Sequence, residues 1–241
     1  GEPGDSASYT YQELLNETKK AANALLSLGI TEGDRVVIYS PMIPETIIAM
    51  LAVARIGAIH SVVFGGFSAD ALKNRINDAE AKLVITADGG FRKGKAHELK
   101  VAVDEALAEN SCPSVQKTLV IQRTKSPVTM NENEFWWHEE LAKADNEHVA
   151  KGFDAEHPLF ILYTSGTTGL PKGVMLSHTN IASNVENCVD RLPYLEKGKA
   201  RCVSFLPVCH IYERMLHYLY IDISVSITLT GMDNIKDDLV A

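Results

Sequence analysis

The residues between 164 and 173 hold most of the chemistry this sequence can offer. The run Thr164-Ser-Gly-Thr-Thr-Gly-Leu-Pro-Lys-Gly173 directly follows the apolar stretch Leu159-Phe-Ile-Leu-Tyr163. Gly166, Gly169 and Gly173 permit close backbone approach and positive φ. Successive amides in such turns form an anion-binding nest. Thr164, Ser165, Thr167 and Thr168 add hydroxyl donors, and Lys172 adds a compact positive charge. Charge-assisted hydrogen bonds of this kind are worth about 1.5–3 kcal/mol each, so several together hold a polyphosphate. A Walker A loop places Ser or Thr after its lysine to reach Mg²⁺. Here Gly173 follows Lys172, which disfavours a P-loop NTPase. The bland alternative is a surface turn of small residues. It seldom combines so many glycines and hydroxyls with a lysine directly after an apolar strand.

Other clusters are weaker. His210, Glu213 and His217 fall at i, i+3 and i+7 on a possible helix, with Cys209 adjacent. That pattern fits a metal site, but more often a helix lining a pocket or core, and no metal site is assigned. Phe135, Trp136 and Trp137 are read as anchoring a short helix rather than as a nucleobase platform. Arg92, Lys93 and Lys95 form a basic corner. Asp88 and Asp104 show no carboxylate partner at a catalytic spacing, and no Gly-x-Ser-x-Gly elbow occurs.

The elements that must carry these residues alternate. Thr10-Tyr-Gln-Glu13 is a capping box, and helical apolar spacing follows to Gly29 at a C′ position. Strands are expected at 35–39, 61–64, 83–86 and 118–122. Helices are expected at 44–56, 68–79 and 97–108. Continuous apolar strands alternating with helices predict an α/β fold: a doubly wound, mostly parallel sheet with helices on both faces. Ligands in such sheets sit at the carboxyl ends of strands. Residues 123–158 form a long irregular connection with a short helix near 135–141. The strand 159–163 then enters the glycine-rich loop, 174–176 returns as a hairpin partner, and 179–190 is a helix. Further strands are expected at 202–206 and 223–229.

With 46% hydrophobic residues the chain can bury a core unaided, and its net charge of −8 argues against nucleic acid as a partner. The apolar window 46–64 is broken by Arg55, Gly57 and His60, so no membrane span is expected. Four cysteines without a C-x-x-C pair or a signal sequence read as reduced thiols in the cytoplasm. The missing initiator Met is read as the loss of an upstream segment.

The loop resembles the signature of the adenylate-forming superfamily, which includes acyl-CoA synthetases, peptide-synthetase adenylation domains and luciferases. From about residue 35 to 169 the chain resembles an acetyl-CoA synthetase. The carriers are Val37-Ile-Tyr-Ser-Pro-Met-Ile-Pro-Glu45, Phe64-Gly-Gly-Phe-Ser68, Leu83-Val-Ile-Thr-Ala-Asp-Gly89 and Trp136-Trp-His138. From about Leu170 it resembles a long-chain acyl-CoA synthetase, through Gly173-Val-Met-Leu-Ser-His178 and Ser204-Phe-Leu-Pro-Val-Cys-His-Ile-Tyr-Glu-Arg214.

The resemblance implies that ATP phosphates are held by Thr164, Ser165, Gly166, Thr167, Thr168, Gly169 and Lys172. It also implies Mg²⁺, a carboxylic acid substrate and CoA. By the same likeness Phe64, Gly65, Gly66, Arg92 and Lys95 match CoA-contacting positions, with Lys95 standing where relatives carry Arg. His210 matches a position near the acyl end of the site, so Lys172 and His210 are the catalytic candidates. The family's Tyr-Gly-x-Thr-Glu, its ribose-binding Thr-Gly-Asp and its C-terminal lid have no match here. The expectation is therefore a partial N-terminal AMP-binding domain spanning 1–241, weakly active, that dimerises through an open sheet edge or apolar face. The second reading is an engineered or reconstructed nucleotide-binding module without full activity.

Overall fold

The computed structural model describes residues 6–92, 94–164, 171–231 and 234–239. Helix α1 (Tyr11–Ser27) begins at the capping box, where the Thr10 amide donates to Glu13 Oε2 at 2.7 Å and the Glu13 amide donates back to Thr10 Oγ1 at 3.2 Å. Pro44 sits in the first turn of α2 (Pro44–Arg55), where its missing N–H costs nothing. Ser68 caps α3 (Ala69–Ala79) by accepting from the Ala71 amide.

Strands β1 (Arg35–Ser40), β2 (Ile59–Phe64) and β3 (Leu83–Ala87) alternate with these helices. A short antiparallel hairpin, β4 (Gly89–Arg92) and β5 (Lys95–Glu98), precedes α4 (Lys100–Leu107), and β6 (Lys117–Ile121) follows. Strand β7 (Glu134–Trp136) and α5 (Trp137–Lys143) lie inside the long connection. Then come β8 (Pro158–Thr164), β9 (Lys172–Ser177), α6 (His178–Val189), β10 (Arg201–Ser204), α7 (Ile211–Asp222), β11 (Ser226–Leu229) and α8 (Ile235–Asp238).

The main sheet has the order β7-β6-β3-β1-β2-β8-β9. Every pairing is parallel except β8 with β9. Helices α1 and α2 pack together, as do α3 and α4, and each pair also contacts the central strands. Val36, Val37, Ile38, Val84 and Ile85 are wholly buried, as continuous apolar strands require when both faces are covered. A second apolar cluster joins Leu159 and Phe160 to Ile181 and Val185 of α6, Leu219 of α7 and Ile223 at its C-cap. Strands β10 and β11 form a separate parallel pair.

Two expectations need correction. Residues 97–98 lie in β5, and the helix expected from His97 begins at Lys100. The Asp88 carbonyl accepts from the Leu99 and Lys100 amides, so the intervening chain is drawn into a hairpin and the helix starts after it. The strand expected over 223–229 is confined to Ser226–Leu229, because 211–222 is helix α7. The connection 123–158 is also less irregular than its composition implies. Lys100, 1% exposed, pairs with Asp104 at 2.5 Å and with Glu134 at 2.8 Å, pinning β7 against α4. Trp137 is buried in the main core, as the anchoring reading expects.

Candidate nucleotide and acyl site

Chain order reverses around β1, whose neighbours β2 and β3 are reached in opposite directions. Carboxyl ends of strands at such a switch point form the usual ligand crevice. Strand β8 ends at Thr164, which pairs directly with Lys172 across the antiparallel ladder. Ser165, Gly166, Thr167, Thr168 and Gly169 lie outside the described residues. Their two flanks do not: Thr164 and Lys172 are both exposed and stand side by side at the strand end. Gly173 is closely packed, since a Cβ there would meet Ile161 at 3.0 Å and Asp78 at 3.2 Å.

Helix α3 underlies this end of β8. The Tyr163 hydroxyl donates to Asp78 Oδ2 at 2.6 Å. The Arg75 guanidinium lies 5.4 Å from the Tyr163 ring centroid and 4.6 Å from that of Phe67, and donates to the Ala71 carbonyl at 2.6 Å. Burial, then the Asp78 carboxylate, pushes the Tyr163 phenol far above its ordinary value, so it remains a neutral donor. Arg75, Tyr163 and Asp78 escaped the sequence reading because their partnership spans 85–88 residues.

Of the segments matched to CoA by resemblance, the Phe64–Gly66 turn adjoins the base of the hairpin whose tip carries Arg92 and Lys95. The Tyr39 hydroxyl, donating to Phe67 O at 2.8 Å with Gly65 O at 3.3 Å, fixes the Phe64–Ser68 turn. A Cβ on Gly66 would meet the exposed Phe64 ring at 2.5 Å, so a side chain there would displace that ring. Arg92 and Lys95 are register partners at the tip of the β4–β5 hairpin, both exposed. The base of the hairpin reaches the turn: Leu99 lies 3.4 Å from a Cβ on Gly65 and 3.6 Å from one on Gly90. Asp88 Oδ1 accepts from the amides of Gly89 (2.7 Å), Arg123 (2.7 Å) and Thr124 (2.9 Å), setting the hairpin's origin. Its Oδ2 is buried without a partner among the described residues. The Asp88-Gly-Gly90 run is the sequence signal that marks this bend.

His210 stands at the N-cap position of α7 with an exposed side chain that makes no capping bond, whereas Glu213 and His217 are buried. The Ser204 hydroxyl donates to Glu213 Oε1 and lies 2.8 Å from His217 Nε2, all three being buried. Glu213 and Ser204 both approach the same ring nitrogen of His217, at 3.5 Å and 2.8 Å. His217 Nδ1 is left without a partner among the described residues. A nucleophile triad needs the carboxylate on the opposite nitrogen; this cluster instead ties β10 to α7. Burial raises the Glu213 carboxyl, but the bonds from His217 and Ser204 outweigh it and bring the group below its ordinary value. Among the described residues no three His, Cys, Asp or Glu side chains gather as a metal cage. All four cysteines are unpaired thiols, and burial followed by Glu213 raises Cys202 to about 11.

An α/β sheet with a glycine- and hydroxyl-rich loop between an inner strand and its antiparallel return defines an adenylate-forming architecture. The model of the AMP-binding enzyme family matches residues 3–234, so this chain belongs to that family. An acetyl-coenzyme A synthetase of Streptomyces avermitilis is 61% identical over 181 residues, covering 75% of this chain and 27% of the relative. One from Mycolicibacterium smegmatis is 59% identical over 182 residues, covering 75% of this chain and 19% of that protein. The structure of an acetoacetyl-CoA synthetase from Streptomyces lividans superposes with a TM-score of 0.83 at 27% identity, over 94% of this chain and 34% of that one. The chain thus spans roughly a quarter of the length of the curated relatives it matches. Among the described residues no helix is long and apolar enough to cross a membrane.

Proposed function

We propose that this chain forms the ATP-binding part of a cytoplasmic acid–thiol ligase, which joins a carboxylic acid to AMP and then passes the acyl group to CoA. The observation that carries the reading is the pairing of Thr164 with Lys172, which brings both flanks of the loop to one strand end. In this reading Thr164, Ser165, Gly166, Thr167, Thr168, Gly169 and Lys172 hold the β- and γ-phosphates. The acid's oxygen attacks the α-phosphorus, the bond to pyrophosphate breaks, and its electron pair leaves on pyrophosphate, whose charge Lys172 offsets. His210 faces the acyl end. Phe64, Gly65, Gly66, Arg92 and Lys95 receive CoA, whose sulfur displaces AMP. A phosphate-bound Mg²⁺ usually keeps several waters and one or two carboxylates. With no three-residue metal cage among the described residues, Mg²⁺ would arrive with the nucleotide.

The test is acid-dependent pyrophosphate exchange with acetate and with long-chain acids, beside direct ATP binding. Exchange with either acid supports the ligase and names its substrate. Binding without exchange leaves a nucleotide-binding module of low activity, and absence of both rejects the assignment. Strand β9 also ends the sheet with Val174 and Met175 43% and 56% exposed. Such an edge favours pairing with a second copy, which light scattering would detect as a dimer.

A further inference from the structure

Arg214 is a buried cation, 1% exposed, surrounded by neutral groups. Its Nε donates to the Val208 carbonyl at 2.9 Å, and its Nη1 donates to His60 Nε2 at 2.6 Å. Its guanidinium lies 4.8 Å from the Phe160 ring centroid, and the Tyr218 ring stacks on that same phenylalanine. Among the described residues it forms no ion pair with a carboxylate. A buried charge without an opposite charge is a poor device for stability alone, since an apolar side chain of similar volume often does as well or better. Its value lies in geometry, because only a planar fork reaches two acceptors on separate segments while stacking on a ring.

Those segments matter for the site. His60 and Phe160 are register partners on β2 and β8, the strands that end at Phe64 and Thr164. Val208 lies in the turn that delivers His210. The same turn is closed by the His210 amide donating to Pro207 O and the Arg214 amide donating to His210 O, each at 3.0 Å. Cys209 lies within this turn and is partly buried. Through Arg214 the turn is thus tied to the rung that His60 and Phe160 form between β2 and β8.

We propose that Arg214 is a positioning residue: it fastens the Pro207–His210 turn to the β2–β8 rung and so fixes His210, the residue matched to the acyl end. The role of His210 rests on the function proposed above; the fastening does not. Lysine lacks the fork, so Arg214→Lys should fail to replace it although the charge is kept.

The experiment uses Arg214→Lys, Arg214→Met and His60→Leu, the last cutting only the link to β2. Site-resolved alkylation of Cys209 reads the turn, urea unfolding reads the fold, and pyrophosphate exchange reads KM for the acid and for ATP. The expected result is Cys209 labelling faster by about tenfold, the size of one lost charge-assisted bond, in all three variants. KM for the acid should rise by a similar factor with KM for ATP little changed, while the urea midpoint falls to the extent that a buried donor or acceptor loses its partner. Should Arg214→Met not fold, His60→Leu carries the same expectation. Wild-type labelling in the variants, or rescue by Arg214→Lys, overturns the proposal. Equal rises in both KM values overturn it too. Loss of exchange in the unaltered protein with every acid would instead reject the ligase reading, and the labelling would still decide whether Arg214 holds the turn.

Discussion

The Tyr163 hydroxyl donates to Asp78 across 2.6 Å, and this bond joins the strand that enters the glycine-rich loop to helix α3. Tyr163→Phe removes the donor but keeps the ring on which Arg75 stacks. Asp78 is exposed and rehydrates, so the expected cost is about 1 kcal/mol of stability. The urea midpoint measures it. No loss would mean that the bond is matched by hydration alone.

Lys172→Ala should weaken ATP binding by about 1.5–3 kcal/mol, the worth of one charge-assisted contact and a 10- to 100-fold change in Kd. The substitution lies on an exposed strand position, so unfolding should be unaffected. Isothermal titration calorimetry and thermal melting separate the two effects. Unchanged affinity would remove Lys172 from the site.

Acid should destabilise the fold in two stages. His60 is wholly buried and neutral. Burial, then the Arg214 and His178 charges, holds its pKa well below the ordinary 6.5. Below pH 6.5 the unfolded chain takes up a proton there that the folded chain refuses, so stability declines as pH falls. Protonation would also remove the acceptor that Arg214 uses. The lowered Glu213 carboxyl adds a second decline below its ordinary value of 4.5, as pH falls towards its folded pKa. Urea midpoints against pH should show the first decline in the parent and a smaller one in His60→Leu, the remainder coming from His148 and His178, which burial also holds below 6.5.

Lys100→Met should cost about 3–5 kcal/mol, because Glu134 would stay buried without its cation. Replacing Glu134 by Gln in the same chain should recover part of that loss. Thermal unfolding of the single and double variants checks the coupling; simple additivity would show that the two groups act independently.

Much of the scaffold could be read from local chemistry. The Thr10–Glu13 box, Pro44 and Ser68 each mark a helix start by satisfying or removing a backbone donor, and their effects are confined to one turn. At the hairpin 89–98 the sequence marks only the bend at Asp88-Gly-Gly90, because β5 is exposed along its length and carries no alternating apolar pattern. Its geometry comes from Asp88 gathering amides up to 36 residues away. Alternation in Ile221-Asp-Ile-Ser-Val-Ser-Ile227 mimics a strand, although its first residues finish α7. At the site, the loop announced itself by composition, while the Arg214–His60 bond joins residues 154 apart and has no signature in either neighbourhood.

The strand order β7-β6-β3-β1-β2-β8-β9 carries a consequence for biosynthesis. Taken in the order in which they leave the ribosome, β2 and then β3 flank β1. Strands β6 and β7 extend one margin, and β8 and β9 extend the other. Each newcomer in the main sheet attaches at a free border, and none has to be threaded between two strands already joined. A nascent chain can therefore enlarge this sheet during translation without dismantling what it has made.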